Sequence, residues 1–150
     1  IRVPWVIVVF GVCFFTNKSG WPLLPLADWT SYLACAFLAG LGMLLLALGL
    51  KACPPKVLTG RERSMLITKS IYSYIRHPIC LSCIVLSFSV VIGFKSIIGL
   101  LATIAVLAIV YLRAVLWEER KLEHRFGQEY CEYKSKVGMF IPRLHWTPKK

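Results

Sequence analysis

Residues Ser31 to Leu50 form a run of 20 residues without a single charge. A helix rises 1.5 Å per residue, so about 20 mostly apolar residues cross roughly 30 Å of hydrocarbon. Three further runs have the same character. Ile97 to Trp117 is apolar except for Arg113 near its end, Ile79 to Phe94 is shorter and uncharged, and Val3 to Phe15 has 13 residues before Asn17 and Lys18. The chain is 57% hydrophobic and 17% charged, where a soluble domain carries roughly 25% charge. These features exclude an ordinary soluble globule and a disordered chain. They predict an all-α, multi-pass transmembrane bundle of about four spans.

The cations orient the bundle. There are 18 Lys and Arg against 7 Asp and Glu. With four spans, the loop 51–76, the tail 118–150 and Arg2 share one side and hold 15 cations; the other side has only Lys18 and Lys95. The positive-inside rule places that loop, the tail and both termini in the cytosol. The third and fourth spans then form a tight hairpin turning at Phe94-Lys95-Ser96. A basic chain can also bind nucleic acid. Here the cations flank spans, which points to topology and to contact with membrane lipids, and no nucleic-acid partner is expected. One membrane domain over 1–150 is predicted, with spans about 3–15, 31–50, 79–94 and 97–117. Either a bacterial inner membrane or the endoplasmic reticulum suits this topology. The chain starts at Ile1 rather than Met, and a cut or processed first span would explain its shortness. A signal-peptide reading of that run is disfavoured, because Asn17 to Pro22 has no small-residue cleavage site. The tail is predicted to be helical from the fourth span through about Phe126, to break at Gly127 and to resume over Gln128 to Val137. Pro142 and Pro148 block further helix.

Four of the six cysteines lie in predicted spans, where small buried hydrophobes are the plain reading. Cys80 and Cys83 have CxxC spacing, with His77 three residues earlier. One CxxC falls short of the four ligands of a structural zinc site, so no metal is expected.

Polar groups are expensive at membrane depth and mark functional candidates. Tyr72-Ser73-Tyr74-Ile75-Arg76-His77-Pro78 enters the third span, and Glu118-Glu119-Arg120 leaves the fourth. A hairpin would bring these clusters together at the cytosolic rim. An ion-pair cluster that merely anchors helix ends would have the same pattern.

Three sets of residues in order resemble a known family: Arg76-His77-Pro78; Glu118-Glu119-x-x-Leu122; and Phe126-Gly127-x-x-Tyr130-x-x-Tyr133-x-x-x-Val137 followed by Ile141-Pro142-Arg143. They look like the isoprenylcysteine carboxyl methyltransferase and phospholipid methyltransferase superfamily, over about residues 36 to 144. The resemblance implies S-adenosylmethionine-dependent methyl transfer to a lipophilic small molecule or lipid-modified substrate at the cytosolic face. The acceptor would be a prenylcysteine-like carboxylate or a phospholipid amine. It also implies that Tyr74, Arg76, His77 and Pro78 help form the cofactor pocket and that Glu118 and Glu119 complete it. Gly40 and Gly42 match a small-residue stretch that lets the cofactor approach a helix; close helix packing favours the same residues. Arg76, Glu119 and Arg113 are the catalytic candidates. Arg113 could position an anionic substrate, or simply snorkel to the rim.

The chain departs from the family pattern at Cys80 and Ser82, where Tyr and Gly are usual. It also has Ser70-Ile71 where Gly-Pro is common, and Gly138-Met139 where Pro-Arg is usual. A nicotinamide-dependent sterol or steroid reductase shares an Arg-His beside a similar hairpin. Glu118-Glu119 and Ile141-Pro142-Arg143 favour the methyltransferase. A non-catalytic scaffold that keeps the fold would also tolerate the Cys80 and Ser82 changes. The strand–loop–helix of a soluble nucleotide-binding fold is missing from the pattern.

Overall fold

The computed structural model describes residues 4–21, 23–53 and 66–143. Every regular element among them is helical: α1 (Pro4–Lys18), α2 (Asp28–Ala52), a 3-10 turn (Ser70–Ser73), α3 (Pro78–Phe94), α4 (Ile97–Arg113), a π-helical segment (Ala114–Glu119), α5 (Arg120–Phe126) and α6 (Gln128–Lys136). Extended structure among the described residues is limited to isolated bridges, Leu23 with Ser96 and Ile75 with Gly138. Two helices are long and apolar enough to cross a membrane, Asp28–Ala52 and the continuous Ile97–Phe126. Trp5–Lys18 and Pro78–Phe94 are apolar but shorter.

The helix ends follow local chemistry. Asp28 in the first turn of α2 and Lys51 in its last complement the helix dipole. Pro78 opens α3, where a missing N–H is harmless. Ser96 precedes α4, and its Oγ accepts the Gly99 N–H at 3.0 Å, an N-cap. Gly127, at φ +53°, ends α5, and its N–H returns to the Glu123 carbonyl. The break at Phe126-Gly127 and the resumption at Gln128 fall where the sequence predicts them.

Two compact units result. The first comprises residues 1–44 and 80–111. Its core is Val9, Cys13 and Val91, with Leu24, Val90, Phe94, Leu100 and Val106 packed around them. Small residues let its helices approach. A Cβ on Gly42 would come within 2.7 Å of Leu86 Cγ, and one on Gly93 within 3.0 Å of Cys35 Sγ. Gly42 therefore serves the packing of α2 on α3, while a Cβ on Gly40 would meet open space. Several of its hydroxyls bond locally or pair with one another, which offsets the cost of placing polar groups in an apolar setting. Thr16 Oγ1 and Ser96 Oγ are 2.9 Å apart, and Ser89 Oγ donates to the Cys35 carbonyl at 3.0 Å. Trp29, Leu33 and Phe37 of α2 are exposed.

The second unit comprises residues 45–79 and 112–150. Within it, Gly49 near the end of α2 lets Ile79 and Pro78 approach; an added Cβ would lie 3.0 Å from Ile79 Cγ1. This fixes the segment that carries Arg76 and His77 against α2. The buried side chains of the unit include Ile75, His77, Ala114, Glu119, Tyr130 and Val137. A buried carboxylate and imidazole among so few apolar side chains single out the chemistry of this unit.

Candidate functional site

Arg76 and His77 lie between the 3-10 turn and α3, and their backbone is held from the far end of the chain. The Arg76 N–H donates to the Gly138 carbonyl at 2.9 Å, and the His77 N–H to the Met139 carbonyl at 3.2 Å. Gly138 is required there, because a Cβ would overlap the Ile141 carbonyl oxygen. The 3-10 turn is tied to α6 by the Tyr133 hydroxyl, which donates to the Tyr72 carbonyl at 2.6 Å. Its first residue, Ser70, adopts φ +59°, a conformation natural to glycine and strained for serine.

Glu118 and Glu119 close the π-helical segment. In α-helix, residues 114 and 119 would stand about 140° apart around the axis, at 100° per residue. Bonding from i to i+5 instead stacks residue 119 nearly over residue 114, and both are buried. Glu119, only 2% exposed, therefore projects inward.

Around Glu119 the charges converge. Arg76 Nη1 lies 2.5 Å from Glu119 Oε1, a charge contact rather than an aligned hydrogen bond. Lys134 Nζ lies 3.0 Å from Glu119 Oε2 and 2.6 Å from Glu123 Oε1, so α6 is clamped to the preceding helix. His77 spans both glutamates, with Nδ1 3.7 Å from Glu118 Oε2 and Nε2 3.6 Å from Glu119 Oε1. Both separations are too long for hydrogen bonds. The Phe140 ring stands 6.3 Å from the imidazole. Beneath them lies Tyr130, 1% exposed.

Burial by itself would raise the Glu119 carboxyl, but the His77 imidazole, Lys134 and Arg76 outweigh it and hold the group down at about 2. Tyr130 is pushed up to about 12 by burial and by the Glu119 charge, with Arg76 pulling the other way. Burial also raises Tyr133. Lys134 is raised by its bonds to Glu123 and Glu119. Glu119 is thus a fixed anion and Lys134 a fixed cation.

The structure therefore brings together Arg76, His77, Glu118 and Glu119, with Pro78 buried at the start of α3. Tyr74, half exposed, and Arg113, exposed, take no part in the network among the described residues. Gly40 and Gly42 belong to the first unit. Sequence reasoning did not single out Lys134, the Gly138-Met139 carbonyls, or a task for Tyr130 and Tyr133. The Tyr-x-x-Tyr spacing was a signal for the tyrosines. For Lys134 there was only a cation among other tail cations.

Among the described residues, six buried side-chain polar atoms lack a hydrogen-bond partner. Five belong to this cluster: Arg76 Nε and Nη1, His77 Nε2, Glu119 Oε1 and the Tyr130 hydroxyl. The sixth is Thr103 Oγ1 in α4. Two of the five, Arg76 Nη1 and Glu119 Oε1, face one another as the ion pair; buried polar groups are normally satisfied, so Arg76 Nε, His77 Nε2 and the Tyr130 hydroxyl are the exceptions in this cluster.

Comparison with known proteins gives the family. Residues 36–129, well over half the chain, match the family model for phospholipid methyltransferases. No curated protein and no solved structure matches the chain. The matched stretch contains Arg76, His77, Pro78, Glu118 and Glu119, and no comparison supports the reductase alternative. The chain belongs to the phospholipid methyltransferase family, whose members are membrane methyltransferases.

Proposed function

We propose that this protein transfers a methyl group from S-adenosylmethionine to a lipophilic acceptor at the cytosolic face of a membrane. The observation that carries the reading is the buried convergence of Arg76 and His77 on Glu119, in which Arg76 Nε and His77 Nε2 are left without hydrogen bonds. The amino-acid end of the cofactor has an ammonium and a carboxylate, and a fixed carboxylate beside a guanidinium whose Nε–H has no hydrogen-bond partner is complementary to both. Glu119 and Glu118 would hold the ammonium or the ribose, Arg76 the carboxylate, and His77 and Pro78 would wall the pocket. When bound, the cofactor supplies an electrophilic methyl group on a sulfonium.

The chain's own contribution is alignment, desolvation and proton handling. Of the two acceptor classes, the family match favours a phospholipid amine over a prenylcysteine-like carboxylate. An amine must lose a proton to attack. Glu119, held at about 2, is a poor base at neutral pH, so that task falls to His77. Arg113, exposed at the end of α4, is free of the Glu119 network and suited to an anionic group on the substrate.

The chain is further proposed to cross the membrane four times, over about 3–15, 31–50, 79–94 and 97–117, with both termini cytosolic. Lys95 and Ser96 are all that joins α3 to α4, and Val91 of α3 and Val106 of α4 share one cluster, which supports a hairpin. Radiolabelled cofactor incubated with the protein in phospholipid nanodiscs tests the function. Label should appear in an amine-bearing phospholipid, and His77→Ala should abolish its appearance. Equal labelling by the variant would refute the assignment.

A further inference from the structure

The helix that carries Glu119 has a second face. Glu119 is buried, and Leu122, Glu123 and Phe126 are partly so. Leu116, Trp117, Arg120, Lys121, His124 and Arg125 line a shallow open concavity of about 630 Å³. Positions 117, 120, 121, 124 and 125 have the spacing of one helical face, and all are exposed. None of the lining residues is acidic, whereas the acids Glu119 and Glu123 turn to the other side and are engaged by Lys134. Glu119 and Glu123 thus lie on the face opposite these cations, while Glu118 stands between the two faces with its Oε2 3.7 Å from His77 Nδ1.

The lining chemistry is particular. Lys121 Nζ sits 4.4 Å from the centroid of the Trp117 ring, a cation–π contact. Trp117 is 62% exposed and closes the apolar run that begins at Ile97. Tryptophan favours the headgroup level of a bilayer. Cations just beyond a span attract anionic headgroups, while arginine pairs with phosphate through its fork. The concavity therefore joins an apolar floor at the membrane rim to a wall of cations.

The geometry points to a binding site for the headgroup phosphate of an anionic phospholipid, formed by Arg120, Lys121 and His124 with Trp117 as floor. It lies on the face of the helix opposite Glu119 and does not depend on methyl transfer. The site would dock or orient the helix that carries Glu119 against an anionic leaflet.

Native mass spectrometry of the full chain released from detergent, with phosphatidylglycerol or phosphatidylcholine added, tests this. The wild type should retain phosphatidylglycerol adducts in preference to phosphatidylcholine. Each juxtamembrane cation contributes about fivefold to anionic-lipid affinity, so Arg120→Gln/Lys121→Gln should weaken the adduct by at least about tenfold. Arg120→Gln alone should give an intermediate loss, and Lys69→Gln, an exposed cation elsewhere in the unit, should give none. Unchanged phosphatidylglycerol retention in the double variant overturns the proposal, as does an equal loss in Lys69→Gln. Displacement of the adduct by equimolar inorganic phosphate would reassign the site to the free ion and also overturn it.

Discussion

Glu119 is the residue on which the second unit turns. Its carboxyl is held at about 2 rather than its ordinary 4.5, so its ion pairs stabilise the fold fully above about 4.5. That contribution is lost as pH falls through the window from 4.5 to about 2. The difference corresponds to about 3 kcal/mol at neutral pH. Melting midpoints in detergent should fall across that window in the wild type, and the fall should be much smaller in Glu119→Gln. Replacement should itself destabilise by about 3 kcal/mol, because Arg76 would remain buried without its anion. His77→Ala is for that reason the cleaner probe of binding. Ser70 supplies a prediction of the opposite sign. At φ +59° it should gain about 0.5–1 kcal/mol from Ser70→Gly, read as a raised melting midpoint. Arg76, His77, Glu118 and Glu119 were legible in the sequence, because polar groups beside apolar runs stand out. Lys134 and the conformation of Ser70 were not, since a lone tail cation and a positive φ leave no trace in hydropathy.

Among the elements, the ends of the helices follow patterns that the sequence carries openly. Apolar runs mark their interiors, Pro78 and Ser96 their starts, and Gly127 a stop. Two features escape that logic. The π-helical segment has no compositional mark, yet it sets Glu119 on the inward face. The clasp between Arg76-His77 and Gly138-Met139 joins residues about sixty positions apart, beyond the reach of any local period. The Gly138 and Met139 carbonyls accept the Arg76 and His77 N–H groups, a task that no local pattern in the sequence marks. Gly138→Ala should break the clasp. We expect a loss of about 2 kcal/mol or more from the forced backbone shift, with faster hydrogen exchange at the Arg76 and His77 amides. Unaltered exchange at those amides would show that the clasp does not hold the segment.

For the whole molecule, net charge becomes direction. Of 18 cations, 15 fall on the side assigned to the cytosol and Lys18 and Lys95 on the other. Single cysteines introduced at Ser19 and Gln128 into a chain without native cysteines should label from opposite sides of sealed vesicles. Labelling from the same side would contradict the topology. Arg76, His77 and Glu119 are proposed to form a binding site for S-adenosylmethionine. Its most direct test is a thermal titration of wild type and His77→Ala with S-adenosylhomocysteine and, separately, with reduced nicotinamide dinucleotide. Ligand at a hundred times its Kd stabilises a protein by about 2.7 kcal/mol. The homocysteine product should raise the wild-type midpoint and leave His77→Ala unmoved, and the nicotinamide should move neither. Stabilisation by the nicotinamide alone, or an equal response of the variant to the product, would contradict the account.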